Sequence, residues 1–278
     1  MWDAYYGCTN LTTAVCGPNV INMRYAYYGC TNLTTAVCGP RVNSMYNTYY
    51  GCTNLTTAVC GPNVIHMDDA YRNCTNLTTA VCGDNVTYIR NTYRNCTNLT
   101  TAVCGPNVMY MENAYRDCTN LTTAVCGNNV INMSNAYYGC TNLTTAVCGA
   151  RVNDMTFAYQ NCTNLVTAAC GPNMMFLNYA YQDCPNIQGN TYWYCNNLYN
   201  ARCCFMGRNT SNMLNIYVHS GSSTNRKLFS DTGSYYSVTG NAISWTSDTA
   251  NSRFYNTSQN IYVYYVANVE EARIANGD

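Results

Sequence analysis

Charge is scarce in this chain. Of its 278 residues 9% are Asp, Glu, Lys or Arg, with 13 basic and 13 acidic side chains, and Lys227 is the single lysine. No cluster of Arg and Lys forms, so phosphate neutralisation has no footing and no nucleic-acid partner is expected. Apolar runs long enough to span a bilayer are missing, and membrane insertion is not expected. Met1-Trp2-Asp3 leads straight into repeat sequence, without the basic and apolar segments of an export signal. Histidine is almost absent: His66 and His219 stand apart, no Cys-x2-Cys pair accompanies them, and no Asp/Ser constellation can be assigned to His219. Zinc ligation and histidine-based acid–base chemistry therefore lack their ligands and partners. Neither a phosphate-binding glycine loop nor a nucleophile elbow occurs. Asp68-Asp69 and Glu270-Glu271 read as solvated neighbours of like charge rather than a catalytic pair. The expectation is a non-enzyme with no metal and no cofactor.

What the chain has in excess is repetition. The decad Cys-Thr-Asn-Leu-Thr-Thr-Ala-Val-Cys-Gly runs first from Cys8 to Gly17 and returns unchanged at Cys30, Cys52, Cys74, Cys96, Cys118 and Cys140, with an eroded copy from Cys162. The interval is always 22 residues. A fixed period of that size marks a solenoid whose units cannot bury their own apolar faces and must stack.

Within the unit Cys8 to Tyr27, the positions of Cys8, Leu11, Ala14, Cys16, Val20, Met23, Ala26 and Tyr27 stay apolar or small in every copy and are assigned to the interior. Ala14 and Cys16 alternate with Thr13 and Val15, so Thr12 to Cys16 reads as a short strand. Stacked copies then form a parallel sheet, ~40 Å long for eight rungs. Gly17, often followed by Pro, is expected to end the strand through positive φ. Ala26-Tyr27 and the residues after them read as a turn or short 3₁₀ piece. All but Cys195, Cys203 and Cys204 of the 20 cysteines fall in two ladders, Cys8 to Cys184 and Cys16 to Cys170, and are read as small buried hydrophobes, because in-register side chains seldom meet disulfide geometry.

The pattern Cys-x2-Leu-x2-Ala-x-Cys followed by Val20, Met23, Ala26 and Tyr27 resembles the BspA-like class of leucine-rich repeats, over Asp3 to about Phe205. That resemblance implies a mostly β, right-handed leucine-rich-repeat solenoid. The near-identity of the copies, the Asn/Tyr/Cys bias and the β-rich C-terminal end together resemble tail-fibre-like repeat proteins of gut bacteriophages. This second resemblance implies a non-catalytic recognition or adhesion module of a surface appendage, on a virion or extracellular surface. Its partner would be a host-surface protein or carbohydrate, and a bacterial cell-surface adhesin is the alternative.

Two faces compete for that role. Thr13 and Val15 recur outward on the strands, and a stripe of Val37, Val59, Val81, Val103 and Val125 would suit a homo-oligomer. The positions of Asn22, Arg24, Tyr25, Tyr28 and Gly29 vary between copies, and a ridge of Tyr28, His66, Asp68, Arg72, Arg94, Tyr110, Glu112, Arg116 and Tyr138 is the candidate binding surface. Ice binding by the Thr-x-Val face and glycosylation at the repeated Asn10-Leu11-Thr12 sequon are both weaker readings.

The ends differ from the middle. The array opens inside a unit, so Trp2 or a second chain is expected to cover the first coil; the open end is a further candidate for self-association. At the other end Cys195 to Cys203, enclosing Leu198 and Ala201, reads as a shortened ninth coil. The solenoid is placed at residues 1–205 and a β-rich cap at 206–278, with strands expected at Leu214–Val218, Ala242–Trp245 and Ile261–Val266.

Overall fold

A computed structural model describes residues 1–195, 198–219, 246–248, 253–257 and 259–278. The repeats stack as parallel β-coils, giving a mostly β solenoid that ends in a small strand-rich region, with one short helix among the described residues. Strands β1 (Thr13–Val15), β2 (Thr35–Val37), β3 (Thr57–Val59), β4 (Thr79–Val81), β5 (Thr101–Val103) and β6 (Thr123–Val125) occupy equivalent positions in consecutive coils. Pairing is parallel and in register, as in Thr13 with Thr35 and Thr101 with Thr123. The central alanine turns inward while Thr and Val face out, as the period-two alternation requires.

The opposite side is held by a longer ladder. Single parallel bridges join Asn22, Ser44, His66, Tyr88, Tyr110, Asn132, Asp154, Phe176 and Asn200 without interruption. Between the two sides lies one core of Leu33, Val42, Met45, Tyr49, Cys52 and their equivalents in the following coils up to Cys184, all fully buried. The inner tyrosines form a stack from Tyr5 through Tyr27, Tyr71 and Tyr115 to Tyr181 and Phe205, with centroids 5.2–5.8 Å apart. One coil alone would leave both faces of its ring wet; each gains roughly 1.5–3 kcal/mol per buried large side chain only between neighbours.

The fixed polar residues of the decad also find their reason in stacking. Asn54, Asn76, Asn98 and Asn120 each donate an amide N–H to the equivalent Asn one coil earlier, at 3.2–3.5 Å. Thr34, Thr78 and Thr122 donate to the Thr carbonyl one coil earlier. Thr48 and Thr92, which stand where other copies have Ala26, are buried and donate to Met23 and Met67 carbonyls. These Asn and Thr side chains thus find their partners between rungs, whereas the buried hydroxyls of Tyr49, Tyr115 and Tyr137 in the aromatic stack have none.

The glycine of the decad works differently from the expectation. Gly17, Gly39, Gly61 and their equivalents do not have positive φ. A Cβ on Gly61 would instead lie 2.9 Å from both Cys38 Sγ and the Gly39 carbonyl oxygen. The residue is small because consecutive coils touch there. Gly61→Ala should therefore cost about 1–3 kcal/mol by forcing two rungs apart, read as a lower urea midpoint at unchanged slope. An unchanged midpoint would contradict the contact.

The ninth coil corrects a second expectation. Cys170 bridges to Trp193 and Phe176 to Asn200, so the spacing grows from 22 to 23 and then 24 residues. Phe205 stacks on Tyr181, and Cys203 takes the left-handed conformation (φ 55°) found at Tyr25 and its equivalents. The coil is complete and lengthened by two inserted residues, and Leu198 and Ala201 stand in the Val20 and Met23 places.

Strand pairing then continues across residues 205–206. β7 (Gly189–Trp193), in the ninth coil, pairs in parallel with β8 (Leu214–His219), which pairs in parallel with β11 (Ile261–Val266). β10 (Arg253–Asn256) and β9 (Thr246–Asp248) follow antiparallel. Helix α1 (Val269–Ala275), capped by the Asn268 side chain, packs against β7 and β8. Glu270 is exposed to solvent, as expected, and also accepts hydrogen bonds from Tyr194 and Arg273. The strands expected at Leu214–Val218 and Ile261–Val266 are present; that at Ala242–Trp245 lies outside the described residues. Among the described residues no helix is long and apolar enough to cross a membrane.

At the first coil Trp2 does not act as a lid. It is 66% exposed, its indole N–H reaching Asn22 Oδ1 at 3.3 Å, while Tyr5, Tyr6 and Cys8 also remain exposed. A side chain at residue 2 sits on the rim beside the Asn22 column, too far along the coil perimeter to lie over the core.

Candidate functional site

The variable positions gather into columns along one side of the stack. Residues at the places of Asn22 and Arg24 flank the buried Met23 column, so both face outward. At the place of Tyr25 the backbone is left-handed in every coil (φ 50–58°), and again at the place of Gly29, where Gly, Asn or Asp always stands. Those two turns present the intervening place of Tyr28 to solvent after Ala26 and Tyr27 have entered the core. The Gly29 place is therefore restricted by backbone conformation, not freely diversified.

Every residue of the expected ridge falls in one of three such columns. His66 and Tyr110 lie in the Asn22 column with Tyr88 between them, rings stacked at 4.8 and 5.2 Å. Asp68 and Glu112 lie in the next column with Arg90 between them. Arg90 makes a 3.2 Å ion pair with Glu112, and its backbone N–H donates to Asp68. Burial lifts the Asp68 carboxyl above its ordinary range, opposed by that N–H and by the Arg90 charge.

The third column reads Tyr6, Tyr28, Tyr50, Arg72, Arg94, Arg116, Tyr138. Its tyrosines stack at 4.8 and 4.6 Å, Arg72 lies over Tyr50 and Arg116 over Tyr138. Arg72 pairs with Asp69 at 3.1 Å and Arg116 with Asp117 at 3.3 Å. Arg94, between them, has Asn91 where Arg72 has Asp69, and its Nε is buried without a hydrogen-bond partner. Burial, followed by the Arg72 and Arg116 charges, lowers the Arg94 pKa. The row is thus a set of guanidinium groups one rung apart whose middle member lacks a carboxylate.

Sequence comparison of copies located this side and named Arg24 and Tyr25 as variable positions, but did not place them in the ridge. Arg24 sits over Trp2, Tyr25 and Tyr46 at 4.6–6.0 Å. Tyr25, Phe157 and Tyr179 hold left-handed φ values of 54–58°, a conformation that bulky side chains disfavour. Placing every 22nd residue in one column would have exposed both features.

The valine stripe occupies the strand side. Val37, Val59, Val81, Val103 and Val125 are 46–61% exposed. Val147 is half-buried, where Tyr159 donates to its carbonyl oxygen.

The cysteines divide by environment. From Cys30 to Cys184 the first ladder is fully buried, and each Sγ donates to the tyrosine carbonyl 25 residues earlier at 3.0–3.2 Å. The second lies nearer the rim: Cys16, Cys104 and Cys170 are buried and the members between are partly exposed. Burial pushes the Cys52 and Cys60 thiols up to about 12. Among the described residues no group of three His, Cys, Asp or Glu side chains could hold a metal ion.

Repeating coils with in-register strands on one side and diversified columns on another define a leucine-rich-repeat solenoid. The chain belongs to the BspA type leucine rich repeat family, whose model matches residues 2–100 and 67–188. No curated protein sequence matches it. Solved structures similar to it include a leucine-rich repeat protein from Bacteroides ovatus, at 14% identity over 78% of this chain and 75% of that one, TM-score 0.47. A leucine rich repeat protein of T. pallidum is similar at 21% identity over 51% of this chain and 69% of that one, TM-score 0.47. A leucine rich cell surface protein from Faecalibacterium prausnitzii matches at 16% identity, covering 68% and 61%, TM-score 0.43.

Proposed function

We propose that this chain is a non-catalytic recognition module on a virion or cell surface, binding a host-surface protein or carbohydrate through its diversified columns. The observation that carries this reading is the contrast between columns. Core, Asn and Thr columns repeat almost without change, while the adjoining side changes its charge and ring chemistry at each rung. Tyr and Arg, which dominate that side, give large contact area and planar hydrogen bonding. Arg94 is the centre of the surface, since an acidic group on the ligand would complete its bonding. Among surface appendages, the near-identical copies and strand-rich C-terminal end favour a tail-fibre-like subunit, with a bacterial adhesin as the alternative. Alanine at Arg72, Arg94 and Arg116 together should lower binding to the target cell at least tenfold, measured by pull-down with the purified chain; unchanged binding would contradict the ridge.

A second reading has its own observation in the exposed valine stripe, which would suit a homo-oligomer. Val59→Lys with Val81→Lys should then reduce the particle mass seen by light scattering. A mass that does not change assigns that face to solvent.

A further inference from the structure

In-register ladders keep equivalent thiols apart, because their Cα–Cβ bonds are parallel and one rung separates them. That constraint fails at one place. Trp193, not a cysteine, lies across from Cys170 on the strand side, since the ninth coil has gained a residue there. Cys195 therefore lies two residues further along, out of register with the ladder, and its Sγ lies 3.2 Å from Cys170 Sγ. Both are buried. Among the described residues this is the one pair of thiols within hydrogen-bonding distance of each other.

We propose that Cys170 and Cys195 form a disulfide that cross-links the eighth coil to the ninth, closing the array just before the strands of the C-terminal sheet. This goes beyond the recognition reading and does not depend on it. The oxidant is a small-molecule disulfide such as glutathione disulfide. One protein thiolate attacks it to give a mixed disulfide and a free small thiol. The second protein thiolate then displaces the other small thiol, so that two protons leave the cysteines and one S–S bond replaces the reagent's.

Access and location both suit this step. Cys170 borders a groove of about 470 Å³ shared with Ala168, Thr191, Tyr192 and Arg273, though only 4% of the residue is exposed, so a small reagent reaches its thiol when the ninth coil opens. Burial raises the Cys170 thiol well above its ordinary range, which slows attack in the folded chain and favours bond formation before the ninth coil docks. The bond would staple the coil on which the C-terminal sheet is built.

The test uses the full chain, refolded once with glutathione disulfide and once with dithiothreitol, then alkylated in denaturant without further reduction. Trypsin leaves both cysteines in one peptide between Arg151 and Arg202, so chymotrypsin is used, which cuts at Phe176, Tyr181 and Tyr192. Expected from the oxidised sample is a cross-linked peptide pair joining Cys170 to Cys195, lighter by two hydrogens and unalkylated at both, with a melting temperature several degrees above the reduced sample's. In Cys195→Ser the cross-link and the difference in melting should both vanish. Full alkylation of Cys170 and Cys195 after oxidised refolding overturns the proposal. So does a pairing of Cys170 with Cys148 or Cys204 instead. Because the peptide map of the unmodified chain decides alone, a variant that fails to fold does not weaken the test.

Discussion

Raising the pH should leave the solenoid intact to about pH 9 and then unfold it in a single steep transition that is complete by about pH 12. The cause is the buried ladder of acids. Burial first, then neighbouring Cys16, Tyr5 and Cys30, raise Tyr27 from 10.0 to about 12, and burial first, then neighbouring thiols and tyrosines, raise Tyr49 through Tyr181 well above 10.0. The core thiols move the same way from 9.0, Cys104 and Cys148 to about 12. In each case the folded-state value exceeds that of the unfolded chain. The stabilisation is therefore complete below the unfolded values of 9.0 and 10.0 and disappears as pH climbs towards the folded ones. Each tenfold weakening of one buried acid on folding is worth about 1.4 kcal/mol, against a total stability of about 5–15 kcal/mol. A few such groups are enough to exhaust it. Far-ultraviolet circular dichroism should fall together with a step in tyrosinate absorbance. Complete ionisation of the tyrosines at unchanged dichroism would contradict a dry aromatic stack.

Replacing Arg208 with leucine should be the most damaging single substitution in the chain. Arg208 stands where the repeat would place its next first-ladder cysteine, at the end of the ninth coil, and it is only 7% exposed. Its guanidinium donates to the carbonyls of Ile187, Asn209 and Asn212 on one side and of Gln259 and Asn260 on the other. Burial lowers its pKa to about 10, so it remains a cation at neutral pH. One planar fork thereby ties the solenoid to the strands beyond it. Leucine would strand several buried carbonyls, each costing about 1–3 kcal/mol, for a total of about 3–5 kcal/mol or more. Urea unfolding should show this loss, and Arg208→Lys should recover only part of it, because an ammonium cannot span carbonyls on both sides. A loss below about 1 kcal/mol would mean that the junction is held elsewhere.

The parts of this fold that were legible in sequence are those set by a strict period. Ala14 between Thr13 and Val15 announced a strand, and the recurrence of Leu33, Val42, Met45 and Tyr49 announced a shared interior. The misreadings have one origin, because contacts between rungs are invisible within a rung. Gly61 looks like a turn residue until the Cys38 sulfur of the preceding coil is placed beside it. Cys195 and Cys203 match the spacing of the decad, but Trp193 and Phe205 fill the core in register, which pushes the true coil to 24 residues. Arg208 gave no sign of its role, since five carbonyls from three segments converge on it only after folding. The ridge was half legible: variation between copies marked the columns, while the ring contacts of Arg24 and the unpartnered Nε of Arg94 needed the geometry.

Thiol labelling of the native chain tests the shared dry interior most directly. Under brief treatment with iodoacetamide at neutral pH and under reducing conditions, followed by denaturation and a second, isotopically distinct label, Cys8 should carry the first label. Cys52, Cys74, Cys96, Cys118, Cys140 and Cys162 should carry the second, and the partly exposed Cys38, Cys60 and Cys82 should fall between. Equal first-label incorporation at Cys8 and Cys96 would mean that the coils do not close over their sulfur, and the stacked core described here would be wrong.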